Sequence, residues 1–475
     1  MKMESRDREF RIVVAGGGIS GLAAAYFIRK KATSSGKHVR IDIVEKEPRV
    51  GGKFTSRQTE GYLVEGGPNG FLDSKPWTMD LVRDLGMEDT LLPSDEASAR
   101  RFIYSRGKLH ELKASPVSFF RSNLLSLPGR LRIVGELFAP QTPAGEDTSL
   151  AEFARRRLGS EALERMLDPM VSGIFAGDPE RMSLRACFPR IAELEETHGG
   201  LIRALMKIGA ERKKTKKSGE EVAASSGPSG PGGVLTSFKE GVSTLTERLA
   251  SEFPGHVHTG KGISSLIRDG EKWAVETSTE RFSADVVILA VPADSAAGLL
   301  GETAPQSAQI LAQIPYSPMA VVGLGFDIND LGRAPHGFGY LIPSLEKRKI
   351  LGALWTSSIF PGYRSPDGRV LIRVMVGGAR DHKTPFLGDD DLIRTARSEL
   401  SATMGLDTKP VFTTIFRWER AIPLYTVGHL DRLEIAEAAL PRGLVLAGNA
   451  YRGVGINDCV RDSEAAAQRA LEVLD

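Results

Sequence analysis

Apolar stretches spaced along the chain predict the framework of the fold. Residues 10–15 form a short run rich in β-branched side chains, and helical spacing of small and apolar residues begins at residue 21. Residues 40–45 read as a second strand. Residues 284–292 are continuously apolar, which is typical of a strand buried on both faces, and residues 444–447 precede an alanine-rich helix. These alternating elements predict an α/β fold.

The middle of the chain has a different pattern. Helical spacing dominates between residues 115 and 205, in short pieces broken by Gly and Pro, as at residues 151–158 and 162–170. Alternating strands between residues 316 and 417 predict a mixed sheet in a second domain. Residues 207–233 change from a basic run to Ser, Gly and Pro, and we expect a solvated, flexible loop there.

The turn after the first strand carries Gly-x-Gly-x-x-Gly at Gly16, Gly18 and Gly21. The first glycine allows a sharp turn, the second lets a pyrophosphate touch the backbone, and the third lets the helix press against its strand. The helix N-terminus adds free N–H groups and a partial positive charge. Glu45 ends the second strand, where a carboxylate can accept hydrogen bonds from a ribose. A glycine-rich turn of an ordinary α/β domain is the alternative, but the combination favours dinucleotide binding.

Further glycine-rich turns at residues 49–53 and 65–70 suggest a ligand that continues past its pyrophosphate. The order Gly-x-Gly-x-x-Gly, acid, Gly-Gly-Lys and Glu-Gly-Gly-Pro-Asn resembles the FAD-binding region of the flavin amine oxidase superfamily. Within that superfamily, the segments GPNGFLD, IFAGDP, HGFGYLIP and GNAYRGVGINDCVRD resemble the oxygen-dependent protoporphyrinogen oxidases. The resemblance runs from about residue 12 to the C-terminus, so it covers nearly the whole chain.

Composition agrees with a globular protein of two or three domains. The 475 residues are 41% hydrophobic and 26% charged, and the net charge of +2 gives no reason to expect nucleic acid. Cys187 and Cys459 are too few for a disulfide framework or a metal site, so we expect no metal and a reducing, cytoplasmic compartment. Residues 1–11 lack the apolar core of a signal peptide, and no apolar run reaches the length of a membrane span.

The resemblance implies a Rossmann-like FAD-binding domain, a mixed-sheet substrate domain, and an inserted helical domain that could face a membrane. We expect the FAD-binding domain to comprise residues 1–90, 234–298 and 441–475, the substrate domain residues 91–110 and 299–440, and the helical domain residues 111–206, followed by the loop 207–233.

The resemblance also assigns residues to FAD. The glycine loop would contact the pyrophosphate, Glu45 the ribose and Ile263 the adenine, while Lys53 and the 67–70 turn would lie between the pyrophosphate and the flavin ring. The residues implied to bind FAD are Gly16, Gly17, Gly18, Ile19, Ser20, Gly21, Glu45, Lys46, Lys53, Gly67, Pro68, Asn69, Gly70, Ile263, Trp418, Gly448, Val454, Gly455 and Ile456. Outside the family, a tryptophan such as Trp418 is more often a core residue.

A porphyrinogen is the implied substrate, and the residues implied to bind it are Arg101, Gly173, Phe338, Leu341 and Met375. Arg101 begins a predicted hairpin, and its planar guanidinium suits a propionate carboxylate. Gly173 would let a backbone carbonyl approach the pyrrole N–H groups, and the apolar side chains would sandwich the macrocycle. Taken singly, each apolar residue is more readily explained as core. Asn69 is the polar side chain expected near the reacting carbons, and because an amide is a poor base we expect it to position flavin or substrate.

The implied activity is FAD-dependent oxidation of protoporphyrinogen IX to protoporphyrin IX in heme biosynthesis, with molecular oxygen as acceptor and hydrogen peroxide as product. The sequence contains no HExxH, paired Cys-x-x-Cys or Gly-x-Ser-x-Gly, which fits chemistry carried by a cofactor. The same reaction on coproporphyrinogen III stays open as an alternative. An amine oxidase, a carotenoid desaturase and a non-catalytic flavin-binding scaffold are more distant alternatives.

Residues 117–133 mix aromatic, aliphatic and basic side chains, a composition that could lie in a membrane interface. Helices that cover the domain's own core explain the same pattern at least as well. We predict a cytoplasmic protein, and peripheral contact with the cytoplasmic face of a membrane stays open as a hypothesis. A homodimer and a hand-off of product to a ferrochelatase are further hypotheses.

Overall fold

A five-stranded parallel sheet anchors the part of the chain that the computed structural model describes, which comprises residues 8–112, 124–143, 145–217 and 233–475, with the backbone alone for 211–217. Its strands lie in the order Val257–His258, His38–Val44, Glu9–Ala15, Val286–Leu289 and Leu444–Leu446. All neighbouring pairs are parallel. The strands predicted at residues 10–15, 40–45 and 444–447 are confirmed.

The strand predicted over residues 284–292 was wrong at both ends. Ala284 closes a separate strand, Arg281–Ala284, and the parallel strand runs only from Val286 to Leu289. Pro292 cannot donate a hydrogen bond to a strand ladder, and the next helix begins directly after it at Ala293. The strand predicted from the length of the apolar run was therefore too long.

Helices and a small antiparallel sheet cover the two faces of the parallel sheet. On one face, Ile12 and Val14 pack into a cluster that includes the helices Ile19–Ser35 and Ile456–Glu472. On the other face, Val13 packs into a cluster with residues of the antiparallel sheet and of the helix Ala293–Leu300. Because both faces are covered, these strands read as continuous apolar runs.

The second large sheet of the fold has seven strands. Its strands lie in the order Phe412–Pro423, Tyr316–Asp327, Arg369–Gly377, Ile350–Leu354, Gly339–Leu341, Arg101–Ser105 and Lys108–Leu112. The pair Gly339–Leu341 with Arg101–Ser105 is parallel and the others are antiparallel, so the predicted mixed sheet is confirmed, as is the predicted hairpin at residues 101–110. One face packs on the helix Asp389–Met404, and the other faces the hairpin that ends at Glu65.

The remaining strands form three small sheets. The small sheets contain the strands Ile263–Asp269, Lys272–Thr277 and Arg281–Ala284; Ser56–Thr59 and Tyr62–Glu65; and Phe71–Leu72, Leu235–Phe238 and Leu91–Pro93. The α-helices are Ile19–Ser35, Pro76–Asp84, Leu127–Val134, Leu150–Arg157, Ser160–Ala162, Asp168–Phe175, Leu184–Cys187, Pro189–His198, Leu201–Lys217, Ser243–Ser251, Ala293–Leu300, Pro305–Ala312, Thr356–Ile359, Asp389–Met404, His429–Ala438 and Ile456–Glu472.

A buried arginine joins the helices between residues 127 and 217. The Arg157 guanidinium lies 3.1 Å from Glu136 and 2.6 Å from Glu195, and all three side chains are buried. Glu136 also accepts the backbone N–H of Leu201 at 2.8 Å, so it satisfies a free donor at the start of the helix Leu201–Lys217. This cluster ties the turn Gly135–Phe138 to the helices Leu150–Arg157, Pro189–His198 and Leu201–Lys217.

Part of the predicted loop at residues 207–233 is helical instead. The helix Leu201–Lys217 continues through the basic run, since Lys, Arg, Glu and Ala are good helix formers and no proline interrupts them. Residues 218–232, which carry the Ser, Gly and Pro composition, lie outside the described residues. The first part of the predicted interfacial segment, residues 117–123, also lies outside them, and residues 127–134 form the helix Leu127–Val134.

Candidate functional site

The glycine loop after the first strand meets the steric demands that its sequence predicts. Gly16 has a φ of +106°, and a Cβ there would lie 2.6 Å from the carbonyl oxygen of Ala290. A Cβ at Gly21 would lie 2.0 Å from the carbonyl oxygen of Gly16. A Cβ at Gly18, in contrast, would have no heavy atom within 4 Å. The fold itself therefore requires Gly16 and Gly21, whereas Gly18 borders open space that a ligand could approach.

A second glycine-rich turn lies against the first. The backbone N–H of Gly51 donates to the carbonyl oxygen of Gly17 at 2.8 Å, and a Cβ at Gly52 would lie 3.6 Å from the Cα of Gly18. Glu45 is buried beside them, and its Oε2 accepts the N–H of Gly17 at 2.7 Å. A carboxylate can accept about four hydrogen bonds, so Glu45 keeps the capacity to accept from ribose hydroxyls.

The segment that leads to Ile263, the residue predicted to contact adenine, also lies beside Glu45 and Lys46. The N–H of Lys261 donates to the carbonyl oxygen of Glu45 at 2.9 Å, and a Cβ at Gly262 would lie 3.4 Å from the Cβ of Lys46. Ile263 follows directly and is partly buried. The Lys46 side chain is exposed, and its Nζ lies 3.6 Å from Glu47.

Two helices begin close to the glycine loop. Gly18 precedes the helix Ile19–Ser35 and Gly455 precedes the helix Ile456–Glu472, and neither cap supplies a side-chain hydrogen bond. Ser463, about two turns into the second helix, donates to the carbonyl oxygen of Ser20 at 2.9 Å, so the second helix packs against the start of the first. Free N–H groups at a helix N-terminus attract anions. Val454, Gly455 and Ile456 lie at the start of the second of these helices.

Lys53 supplies a cation at the same place. Among the described residues it forms no ion pair, and its Nζ lies 5.5 Å from the centre of the Tyr316 ring. Part of its side-chain surface is accessible, but protein surrounds its ammonium group, and this burial lowers the pKa of Lys53 to about 8. A pyrophosphate beside Lys53 would supply an ionic partner for this ammonium group.

Several buried polar atoms near Lys53 and the glycine loop lack partners. Within the described residues, Asp294 Oδ1, Tyr451 Oη and Asn69 Nδ2 are buried without a hydrogen bond. Gly448, at a φ of +137°, donates its N–H to Asp462, and a Cβ there would lie 3.9 Å from the Tyr451 ring. Buried polar groups normally have partners, so these atoms fit a polar ligand such as a dinucleotide.

The turn at residues 66–70 is held by side chains of the seven-stranded sheet. Trp418 Nε1 donates to the carbonyl oxygen of Gly66 at 2.8 Å. Arg373 donates to the carbonyl oxygen of Gly67 at 2.8 Å and to Oδ1 of Asn69 at 2.9 Å. The structure thus places Gly67, Pro68, Asn69 and Gly70 between the glycine loop and the second sheet.

Steric limits fix the same turn from the other side. A Cβ at Gly67 would lie 2.0 Å from the carbonyl oxygen of Lys53, and a Cβ at Gly70 would lie 2.3 Å from the carbonyl oxygen of Thr236. Glu65, just before the turn, is fully buried and accepts from Ser56 at 2.6 Å, and burial raises the pKa of its carboxyl. The turn is therefore rigid on both sides.

The residues predicted to bind a porphyrinogen lie near one another: Arg101, Leu341 and Met375 are on strands of the seven-stranded sheet. Phe338 directly precedes the strand Gly339–Leu341, and Gly173 lies on the helix Asp168–Phe175. Arg101 is in register with Gly339, and its Cζ lies 5.0 Å from the centre of the Phe338 ring. A Cβ at Gly173 would lie 2.6 Å from the Leu341 side chain. Met375 pairs with Gly352, whose Cβ would contact Leu341 at 3.2 Å. Arg373 is two residues from Met375 on the same strand, so the two side chains share one face of the sheet.

Of the adjacent arginines, the structure favours Arg101 as a ligand-binding group. The Arg100 guanidinium pairs with Glu111 at 3.1 Å. Arg101, in the part of the chain that the structure describes, has no ion pair and keeps an exposed side chain. An unpaired guanidinium at the edge of an apolar face can bind a carboxylate in two parallel hydrogen bonds.

Sequence reasoning missed Arg373, Arg364 and Asp294. Arg373 and Arg364 are fully buried, and Arg364 Nη2 lies 3.8 Å from Glu65. Arg373 lies within the apolar strand RVLIRVMVG, and a charged residue in such a run indicates a buried polar role.

Within the described residues, no group of three or more His, Cys, Asp or Glu side chains could hold a metal ion.

Large apolar side chains are exposed between residues 127 and 206, namely Phe138 (86% exposed), Leu127 (68%), Met206 (67%) and Leu131 (64%). The helix Leu127–Val134 leads directly into the turn Gly135–Phe138, and Arg203, one turn before Met206, donates to the carbonyl oxygen of Leu137 at 2.8 Å. In the described ranges, no helix is both long and apolar enough to cross a membrane.

Comparisons with known proteins identify relatives along nearly the whole chain. Residues 19–471 match the family of flavin containing amine oxidoreductases. A coproporphyrinogen III oxidase of Bacillus subtilis (strain 168) is 31% identical, over 98% of this chain and 99% of that protein. Protoporphyrinogen oxidase 1, chloroplastic, of Arabidopsis thaliana is 32% identical, over 97% of this chain and 87% of that protein. A crystal structure from Exiguobacterium sp. 255-15, provisionally named a protoporphyrinogen oxidase, has a TM-score of 0.81 at 25% identity, over 98% of this chain and 99% of that one.

Proposed function

The chain belongs to the family of flavin containing amine oxidoreductases, and we propose that it oxidises protoporphyrinogen IX to protoporphyrin IX with FAD as cofactor and molecular oxygen as acceptor. It is a flavin-dependent oxidoreductase that uses FAD. The observation that carries the proposed substrate is the unpaired Arg101 at the edge of an apolar face formed by Phe338, Leu341 and Met375. A flat, apolar macrocycle with peripheral carboxylates matches that surface.

FAD, when bound, accepts a hydride and passes its electrons to oxygen. The reaction removes six hydrogens from the porphyrinogen in three two-electron oxidations, and each one reduces one oxygen molecule to hydrogen peroxide. The residues that would hold FAD are the glycine loop, Glu45, Lys53 and the 66–70 turn, which fit a dinucleotide by their open backbone, unpaired cation and free N–H groups.

The chain's own residues would bind and orient the substrate. Arg101 would pair with a propionate, because a guanidinium and a carboxylate form two parallel hydrogen bonds. Phe338, Leu341 and Met375 would exclude water from the macrocycle. The tight packing of Gly173 against Leu341 would place the backbone of the helix Asp168–Phe175 beside the pyrrole nitrogens.

Coproporphyrinogen III is the second candidate substrate. Relatives named coproporphyrinogen III oxidase, from Bacillus subtilis and Propionibacterium freudenreichii, are 31% and 30% identical, as similar as those named protoporphyrinogen oxidase. Coproporphyrinogen III carries four propionates, whereas protoporphyrinogen IX carries two. Arg101 is the unpaired cation that we place on this face, which suits the substrate with fewer carboxylates.

Anaerobic mixing of the FAD-loaded protein with each porphyrinogen tests the proposal. We expect protoporphyrinogen IX to bleach the flavin absorbance faster, and oxygen to restore it with release of peroxide and porphyrin fluorescence. A faster reaction with coproporphyrinogen III would replace the substrate and keep the chemistry. Failure of both to bleach the flavin would refute the proposed function.

Peripheral membrane placement and the domain division predicted from the sequence are part of the same proposal. The exposed Leu131 and Phe138 support a surface that enters the lipid interface from the side. We expect the protein to float with vesicles of anionic lipid, and the variant Phe138→Glu to float less while it oxidises porphyrinogen in solution normally. Equal flotation of both proteins would refute the assignment of this surface to the lipid interface.

The homodimer and the hand-off of product to a ferrochelatase stay predictions. Sedimentation would test the first, and co-purification would test the second.

A further inference from the structure

Arg373 connects the seven-stranded sheet to the 66–70 turn. It is 2% exposed, and its guanidinium donates to Asn69 Oδ1 at 2.9 Å and to the carbonyl oxygen of Gly67 at 2.8 Å. Burial lowers the pKa of Arg373 to about 10, so it stays a cation at neutral pH. Residues separated by about three hundred positions in the chain are thus joined at one polar contact.

This contact decides which way the Asn69 amide points. A guanidinium has donors and no acceptor, so only the amide oxygen can face it. The amide nitrogen must then face away, and Asn69 Nδ2 is in fact buried with no partner among the described residues. A buried donor without an acceptor is costly, so the missing acceptor is expected to come from a ligand.

We propose that Arg373 is a positioning residue that holds Asn69 so that its amide nitrogen donates a hydrogen bond to an acceptor atom of the flavin ring. This inference rests on the proposed function, because it places the flavin ring beside the 66–70 turn. The porphyrinogen ring presents pyrrole N–H donors and methylene carbons, and we assign its propionates to the edge of the apolar face at Arg101, so the ring itself offers no acceptor to an amide N–H. The flavin ring presents carbonyl oxygens and ring nitrogens, which do.

The orientation also has a consequence for the redox chemistry. Reduction increases negative charge on the flavin ring, and a hydrogen-bond donor stabilises the more negative form. Asn69 held in this orientation therefore raises the reduction potential of bound FAD. The same orientation removes the amide oxygen from the reacting carbons, so Asn69 does not serve as the base.

The test measures the reduction potential of the FAD-loaded, full-length protein without any porphyrinogen. Asn69→Leu removes the donor, and we expect reduced FAD to bind about tenfold more weakly relative to oxidised FAD, a potential lower by about 30 mV for two electrons. Arg373→Met should give a similar shift, because the freed amide no longer faces the ring. The double variant should shift by no more than either single variant.

Arg364→Met provides the matched control. Arg364 is also fully buried beside Glu65, but it donates to Ser237 and to the carbonyl oxygen of Phe238 and not to Asn69. We expect its loss to lower stability and leave the potential within about 10 mV of the wild-type value.

Three outcomes would overturn the inference. An unchanged potential in Asn69→Leu would mean that its amide does not donate to the ring. Additive shifts in the double variant would mean that Arg373 acts through its charge and not through Asn69. An equal shift in Arg364→Met would assign the effect to buried charge in general. Because no porphyrinogen is used, failure of the proposed substrate leaves this measurement intact.

Discussion

The charge of Lys53 should control how tightly the protein holds FAD at alkaline pH. Its ammonium group faces the Tyr316 ring, with Asp294, Arg420 and Cys459 nearby. Burial lowers its pKa to about 8 from an ordinary 10.5, and Arg420 adds to this effect, whereas Asp294 and Cys459 oppose it. If the pyrophosphate binds only the protonated form, FAD affinity must fall as this group loses its proton.

The expected magnitude follows from that pKa. At about pH 8, half of the FAD-free molecules carry the charge, and that fraction is about 0.9 at about pH 7 and about 0.09 at about pH 9. The Kd for FAD should therefore rise about tenfold between about pH 7 and about pH 9. The stability of the FAD-free protein should increase as the pH rises, whereas its affinity for FAD falls. Between pH 8 and pH 10.5 the unfolded chain binds more protons than the folded protein, so the free energy of unfolding of the FAD-free protein should rise with pH.

The assay is titration of FAD-free protein with FAD, followed by quenching of flavin fluorescence at a series of pH values. Lys53→Arg is the matched control, because an arginine keeps its charge across the whole range, and its Kd should stay constant. Lys53→Met should bind weakly at every pH, also without a pH trend. A constant Kd in the wild type, or an equal rise in Lys53→Arg, would refute the reasoning.

The remaining predictions concern the glycine loop, the substrate and the helical region. Gly18→Ala should leave the melting temperature of the FAD-free protein unchanged within about 2 °C and lower FAD affinity at least about tenfold, whereas Gly21→Ala should lower the melting temperature itself by about 5 °C or more. Arg101→Met should raise the KM for porphyrinogen about 10-fold to 100-fold with an unchanged FAD content; loss of FAD instead would contradict its assignment. Arg157→Met should lower the free energy of unfolding by about 3–5 kcal/mol in urea, because it leaves Glu136 buried without a cation and leaves Glu195 with Arg156 alone.

Local chemistry explains which parts of the fold could be predicted. The strand at residues 10–15, the glycine turn and the following helix were predictable because a turn of that shape admits only glycine at Gly16 and Gly21. The strand at residues 284–292 was predicted too long, since an apolar run does not show where one strand ends and another begins. The helix through residues 207–217 was missed because a basic composition suits a solvated loop and an exposed helix alike.

The sequence by itself therefore determined the elements whose geometry depends on neighbouring residues, together with the residue types that a dinucleotide and a carboxylate require. Tertiary structure decided which of these meet. Arg100 and Arg101 are adjacent residues of the same type, so their side-chain chemistry does not distinguish them. In the structure, Arg100 pairs with Glu111 and Arg101 does not. Arg373 contacts Asn69 because two distant strands are brought together, and the lowered pKa of Lys53 arises because folding removes water from its ammonium group. Contacts and desolvation of this kind depend on distances through space, which a linear pattern does not contain.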